Sequence, residues 1–350
     1  MISESDQIIA LTDPILVTGG SGFIGGRVVA NLLERGFKHV RCLVRPSADL
    51  SAFQQLQTDG AKPELLHGNL LSRADCSSAT KDVAVIYHLA AGTGEKSFPD
   101  AFMNSVVTTR NLLDGVVENR CLKRFVSISS FAVYSNRNKP RKSVLDEECP
   151  LEERPHLRGE AYCYAKQKQD ELILDYAKRF NLSYVLLRPG VVYGPGKSSI
   201  SGRIGRNLGM FLHLGGSNRI PFTYVDNCAE AIVLSGLVKG ADREVFNIVD
   251  DDLPTSRWFL REYKKRVKSF HSLYVPRLFS YVLCSMWEKY SSWSQGQLPP
   301  VLNRLAWHAY WKGSSYSNEK LKSRLGWRQR VSTSEGMHRY FQSCQAPVNA

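Results

Sequence analysis

Short apolar runs alternate with longer amphipathic stretches along most of the chain. Ile15 to Val17 reads as a buried strand and is followed by a helix pattern from Arg27 to Arg35. The strand signal returns at His39–Val44, Glu64–Leu70, Val83–Ala91 and Arg124–Ser130. Between the last two, Val107, Leu112, Leu113 and Val116 recur at helical spacing over 104–117. Beyond a polar stretch from Ser135 to Arg158, broken by Pro140, Pro150 and Pro155, the pattern predicts a helix over about 160–180. A sixth strand at Leu182–Leu187, a helix at Cys228–Leu237 and a strand at Glu244–Val249 follow. Continuously apolar strands are buried on both faces, and strands separated by helices of about 10–15 residues build parallel units, so the expected class is α/β with a doubly wound parallel sheet. The stretch 135–158 is expected to be a surface loop over the mouth of the site.

The first strand turns into the first helix through Thr18-Gly19-Gly20-Ser21-Gly22-Phe23-Ile24-Gly25. Gly19 suits a tight turn, Gly22 a close approach by a pyrophosphate, and Gly25 close packing of helix on strand. Free N–H groups and the positive end of the helix dipole then face an anion. The second strand ends at Arg45, where the adenosine ribose of a dinucleotide is expected. A basic side chain there suits a 2′-phosphate, so Arg45 favours NADP (NADPH) over NAD.

Composition narrows the field. The 350 residues are 43% hydrophobic and 23% charged, as in a globular protein with a large core. Eight scattered cysteines without a Cys-x-x-Cys pair and eight unclustered histidines point to reduced thiols, no metal site and a cytoplasmic setting. Met1 to Asp13 lacks a signal-peptide pattern, and no stretch reaches the ~18 apolar residues of a membrane span. The net charge of +13 is uneven: residues 201–350 hold 21 basic against 11 acidic side chains. That suits an anionic ligand or surface, or simply a solvated basic face. No nucleic-acid module accompanies it.

The candidate chemistry lies on the long helix. Tyr162 and Lys166 are four residues apart and share a face. An ammonium beside a phenol favours the phenolate, so the pair can exchange a proton with a reacting oxygen while hydride moves. Tyr164 and Lys168 repeat the spacing. The first pair is preferred because Lys166 follows the small Ala165 and precedes Asp170 by one turn. Ser129 and Ser130 end the fifth strand at the crevice where such sheets bind ligands. Ser130 is preferred as the hydroxyl that orients the reacting oxygen, with Ser129 as the alternative.

Together these pieces resemble the extended short-chain dehydrogenase/reductases, the NAD-dependent epimerase/dehydratase superfamily. They are Thr18–Gly25, His88-Leu89-Ala90-Ala91, Asn104, Ser129-Ser130, Tyr162/Lys166, Arg188-Pro189-Gly190-Val191-Val192-Tyr193-Gly194-Pro195-Gly196, Tyr224-Val225-Asp226-Asn227 and Tyr316 to Trp327. The resemblance covers about residues 14–340. It implies a Rossmann-type domain over 1–190, completed by about 223–250, and a smaller, mostly helical substrate lobe from 191–222 and 251–350. It further implies cofactor contacts from Gly19, Ser21, Gly22, Phe23, Ile24, Gly25, Arg45, Asn69, Leu70, Leu89, Ala90, Ala91, Tyr162 and Lys166, with Pro189 and Val192 lining the nicotinamide pocket. Asn69 stands where many members carry an aspartate near the adenine. A homodimer through a helix pair is a family-level expectation.

Sugar-nucleotide members usually carry an asparagine in the run that here reads Arg188 to Gly194. Its absence, and the version Phe222-Thr223-Tyr224-Val225-Asp226-Asn227, resemble 3β-hydroxysteroid dehydrogenase-like and dihydroflavonol reductase-like members. The expected activity is NAD(P)-dependent hydride transfer between nicotinamide and a secondary alcohol or ketone, with a sterol- or isoprenoid-like small molecule as substrate. A nucleotide-sugar epimerase/dehydratase is the enzymatic alternative, and a non-catalytic dinucleotide-binding protein the alternative of another class. The aromatic segment Tyr274–Trp287 follows the basic run Arg257–Lys268. It is read first as a helix packed over the substrate pocket, and alternatively as a peripheral membrane contact through 257–290.

Overall fold

A computed structural model describes residues 6–54, 62–92, 97–295 and 297–345. The first five residues of the polar N-terminal stretch lie outside them. Seven strands form one sheet: β1 (Ile15–Thr18), β2 (Val40–Val44), β3 (Glu64–His67), β4 (Val85–His88), β5 (Arg124–Ile128), β6 (Tyr184–Pro189) and β7 (Glu244–Ile248). Their spatial order is β3-β2-β1-β4-β5-β6-β7, and every pairing is parallel. The order reverses between β1 and β4, which opens a crevice at the C-terminal ends of the strands.

The sheet is covered on both faces, which is why its central strands read as apolar runs, while the edge strand β3 is only partly buried. On one face, helix α1 (Gly25–Glu34) packs against α5 (Val225–Leu237), and Val28, Leu32, Ile232 and Leu237 join Val17 and Val126 in a shared core. On the other face, helices α2 (Arg73–Thr80), α3 (Thr108–Val117) and α4 (Ala161–Phe180) bury Leu112, Leu113 and Ile173 against Leu16, Ile86 and Phe125. The predicted 104–117 helix is longer: a helical turn at Phe98–Phe102 leads through a π turn, Met103–Val107, into α3. Pro99 at the first turn and Ser97 as N-cap start it, signals that lie ahead of the apolar period. α1 likewise begins inside the glycine motif, at Gly25 rather than at Arg27.

Outside the sheet, strands Gly205–Leu208, Met210–His213 and Ser272–Tyr274 form a small three-stranded sheet. Helices α6 (Ser256–Arg266) and α7 (Arg277–Trp293) flank its last strand, and α8 (Thr333–Gln345) ends the described chain. All eight cysteines are free thiols, and the described residues hold no cluster of three metal-ligating side chains.

The stretch 135–158 departs in part from expectation. Much of it is exposed, as expected of a surface stretch, but it does not roof the site and several of its side chains are bound into the body. Leu145, Cys149 and Glu152 are buried, and Lys312 donates to the carbonyl of Asn136 (2.9 Å). Only its end, at Arg158, reaches the central cleft. Pro-rich polarity marked irregular backbone correctly, but irregular backbone can be buried when side chains satisfy its carbonyls.

Candidate active site

The glycine turn is built as its spacing requires. Gly19 has φ +73°, and a Cβ there would stand 2.8 Å from the Ala90 nitrogen. A Cβ on Gly25 would stand 2.0 Å from the Gly19 carbonyl oxygen, so helix and turn touch only because both are glycines. No side chain caps the start of α1. The Gly22 and Gly26 N–H groups donate to the carbonyls of Gly19 (3.0 Å) and Gly22 (2.9 Å). The turn, where Gly22 is exposed, therefore offers an anion the N–H groups of Phe23, Ile24 and Gly25 and the positive end of the helix dipole. This cradle fits the pyrophosphate of a dinucleotide.

Along the C-terminal edge of the sheet lie Arg45, exposed just after β2, Asn69 and Leu70 after β3, and Leu89, Ala90 and Ala91 after β4. The Asn69 side-chain oxygen accepts from the Leu71 N–H (3.0 Å), a local turn contact, and its backbone N–H donates to Asp75 (2.7 Å). Ile24, Ser130, Tyr162, Pro189 and Val192 line one cleft of about 1540 Å³ that runs from the glycine turn into the small sheet. Its far wall is aromatic, with Phe211, Phe222, Phe259, Tyr263, Phe270 and Tyr340.

Ser130 and Tyr162 meet in this cleft. Burial raises the phenol's pKa, and the nearby Ser130 hydroxyl opposes that shift. The net shift is upward, so Tyr162 holds its proton at neutral pH. The Ser130 Oγ also accepts from the Ala132 N–H (3.1 Å). Ser129 points the other way: it is fully buried and donates to Asp170 (2.7 Å). The Tyr164/Lys168 pair lies apart from the cleft lining. Tyr164 packs edge-on against Phe98, and Lys168 pairs with Glu171 at 2.6 Å.

Lys166 is only 2% exposed. Its ammonium donates to the Ile128 carbonyl (2.5 Å) and to Gln169 Oε1 (2.9 Å) rather than opening into the cleft. Burial pushes its pKa down to about 8, against an opposing pull from Asp170. Gln169 was not singled out by the sequence, and the network beyond it explains its place. Gln169 donates to Thr109 Oγ1 (2.7 Å), which donates to the Ser105 carbonyl (2.5 Å). Thr109 Oγ1 also bonds His88 Nε2 (2.8 Å), and His88 Nδ1 bonds Thr18 Oγ1 (2.8 Å). Because the Thr109 proton is committed to Ser105, His88 must donate from Nε2 and accept from Thr18 at Nδ1. Burial and the Lys166 charge hold His88 neutral, with a pKa near 3, which agrees with that assignment. The network ties the base of Lys166 to β4 and to the last residue before the glycine turn. A glutamine three residues after the lysine was visible in the sequence, but nothing local told it from a solvent-facing one.

Asp170 is also buried. It accepts from Ser129 and from Arg188 (3.3 Å), and the Arg188 guanidinium lies 4.8 Å over the Tyr134 ring. Burial raises its pKa, and Arg188 opposes that shift. At the cleft, Arg206 and Tyr310 both bind Glu160, and Arg203 donates to the Ala309 carbonyl (3.1 Å) over the Tyr310 ring (4.8 Å). The arginines near the cleft are thus engaged by the protein itself. Lys197 lies 5.7 Å from the centre of the Phe23 ring, and its pKa is lowered by burial. No residue of 274–293 lines the cleft, so the helix expected over the pocket is not a lid.

A doubly wound sheet with a phosphate cradle at its switch point and a Ser/Tyr/Lys set beside it defines a nicotinamide-dependent oxidoreductase acting on CH–OH groups. The chain belongs to the NAD dependent epimerase/dehydratase family, which it matches over residues 15–248. A ketoreductase of Stigmatella aurantiaca, acting on a 4-hydroxy-2-methyl-3-oxo-4-farnesyl-3,4-dihydroquinoline-1-oxide, is 26% identical over 92% of this chain and 93% of its own. The sterol-4-alpha-carboxylate 3-dehydrogenase (decarboxylating) of Dictyostelium discoideum is 21% identical over 92% and 98%. Cinnamoyl-CoA reductase 1 of rice is 31% identical, but over 52% of this chain and about half (54%) of that enzyme. Among solved structures, UDP-glucuronic acid 4-epimerase from Bacillus cereus, in complex with UDP-glucuronic acid and NAD, shares the fold at a TM-score of 0.71. It is 22% identical, with 95% and 98% of the two chains covered.

Proposed function

We propose that this enzyme moves a hydride between NADP(H) and a secondary alcohol or ketone on an apolar, sterol- or isoprenoid-like molecule. The observation that carries the reading is the Ser130–Tyr162 hydroxyl pair facing a cleft with an aromatic far wall. Two relatives matched along nearly their whole length, whose names specify a farnesylated ketone and a sterol, support the same substrate class. Bound dinucleotide supplies or accepts the hydride. Its pyrophosphate is assigned to Gly19, Ser21, Gly22, Phe23, Ile24 and Gly25, and its 2′-phosphate to Arg45. Asn69, Leu70 and Leu89 to Ala91 are assigned to its remaining edge, and Pro189 with Val192 to its nicotinamide.

In reduction, Ser130 donates a hydrogen bond to the carbonyl oxygen and Tyr162 delivers the proton. Burial keeps that phenol protonated, which suits it as the acid. The Lys166 charge, one turn along the same helix face, stabilises the phenolate left behind. An epimerase or dehydratase acting on a nucleotide sugar would need cations for a pyrophosphate. Arg203 and Arg206 are engaged by the protein, whereas Lys197 and Lys268 also line the cleft, so it is the aromatic wall that favours the apolar substrate.

The test has two parts. Mass spectrometry of small molecules released from the unfolded protein is expected to find a substoichiometric dinucleotide, with NADPH taken up when added. Tightly retained NAD would favour the epimerase reading. Tyr162→Phe is expected to cut ketone reduction by about 10²–10⁴-fold with cofactor binding intact. Unchanged turnover would leave only a dinucleotide-binding role.

A further inference from the structure

Helix α7 is amphipathic with its faces inverted. Its fully buried positions are small, Ser280, Cys284 and Ser291, with Leu283 and Trp287 partly buried beside them. Ser280 accepts from the Trp307 indole (2.9 Å) and Ser291 donates to the Leu298 carbonyl (2.6 Å). Its outer face carries Leu278, Phe279, Val282, Met286, Tyr290 and Trp293, between 51% and 76% exposed. Their spacing makes one stripe along the helix. A soluble helix buries such a stripe, and this one does not.

Apolar exposure is not confined to α7. Leu212 is packed against the same core cluster as Leu283 of α7, and pairs across the small sheet with Leu273, which is 51% exposed. On the same face of that sheet, Met210 and its cross-strand partner Leu208 are exposed and also form the lip of the cleft. Exposed apolar side chains therefore stand both at the cleft mouth and along α7.

Charge selects what covers it. Residues 257–293 hold eight Lys/Arg against two acidic residues, and Glu262 and Glu288 are already paired with Arg266 and Arg304. A second copy would bring the same positive excess against it. An anionic lipid surface would neutralise the excess while its acyl region takes up the stripe. Among the described residues no helix is long and apolar enough to cross a membrane, so α7 would lie in the interface rather than span it.

We propose that the α7 stripe and the Leu208/Met210 lip dock the enzyme on anionic membranes, with the cleft mouth against the lipid, so that substrate passes from the bilayer without entering water. Docking rests on the surface alone, whereas substrate delivery also rests on the activity proposed above.

The full chain is to be sedimented with vesicles of phosphatidylcholine, with and without phosphatidylserine. Binding is expected to need phosphatidylserine and to weaken with added salt. Phe279→Ser with Met286→Ser should lower it by about tenfold or more. Both side chains are exposed, so the variant's melting temperature and its turnover of a water-soluble ketone should match wild type. Trp293→Phe should remove an emission component that brominated lipid quenches. Failure to sediment with either vesicle would overturn the proposal. So would a concentration-dependent dimer, seen by light scattering, that the same two substitutions dissolve. Vesicle binding by an enzyme that turns over no sterol or isoprenoid ketone would sink the substrate reading and leave docking standing.

Discussion

A charged lysine fully inside a protein is held there at a cost, and Lys166 allows that cost to be read. Its pKa falls from the ordinary 10.5 to about 8 because burial disfavours the cation. Between those values the folded chain has released a proton that the unfolded chain keeps, so stability must rise with pH over that window. For Lys166 alone the rise between about pH 7 and about pH 10 amounts to about 2.5 kcal/mol. Other groups titrate in the same range, so the measurement is a difference. Urea unfolding of wild type and of Lys166→Met is followed across that window, and the gap between the two should move by about 2–3 kcal/mol in favour of wild type as pH rises. Met leaves the Ile128 carbonyl and Gln169 without the ammonium, which offsets the gap at every pH but does not tilt it. A gap that stays flat would mean that Lys166 is hydrated, and the account of a buried, network-held cation would fall.

The same titration should appear in catalysis: ketone reduction is expected to be level below about pH 8 and to fall above it as Lys166 loses its charge, read as kcat/KM against pH. Arg45→Asp should exchange the preference for NADPH toward NADH, measured as the ratio of the two cofactors' kcat/KM, and an unchanged ratio would remove Arg45 from the 2′-phosphate site. Gly25→Ala places a methyl 2.0 Å from the Gly19 oxygen and should cost about 2 kcal/mol or more of stability and abolish dinucleotide binding, followed by thermal unfolding and by cofactor fluorescence.

The alternation of apolar runs with helical periods was enough to predict a parallel doubly wound sheet, because strands buried on both faces must be apolar throughout. The strand-to-helix turn through Gly19, Gly22 and Gly25 was legible for a similar local reason: the backbone approaches itself so closely that the missing Cβ is written in the residue type. The Tyr162/Lys166 spacing was legible as one face of a helix, and Ala165 and Asp170 favoured it over the same spacing at Tyr164/Lys168. The packing of α4 against the sheet turned that pair inward and left Lys168 with Glu171 near solvent. Likewise, strand alternation showed that Ser129 and Ser130 face opposite ways, yet the buried Asp170 that takes Ser129 lies 41 residues on.

Tertiary structure alone also decided the network from Lys166 through Gln169, Thr109 and His88 to Thr18, because its members come from four separate segments and none is unusual in its own. It decided the fate of 274–293 as well. An aromatic helix reads the same in a sequence whether it covers a pocket or faces outward. The difference lies in what the neighbouring elements leave uncovered, and here they cover Ser280, Cys284 and Ser291 with part of Leu283 and Trp287 and leave Leu278, Phe279, Val282, Met286, Tyr290 and Trp293 exposed.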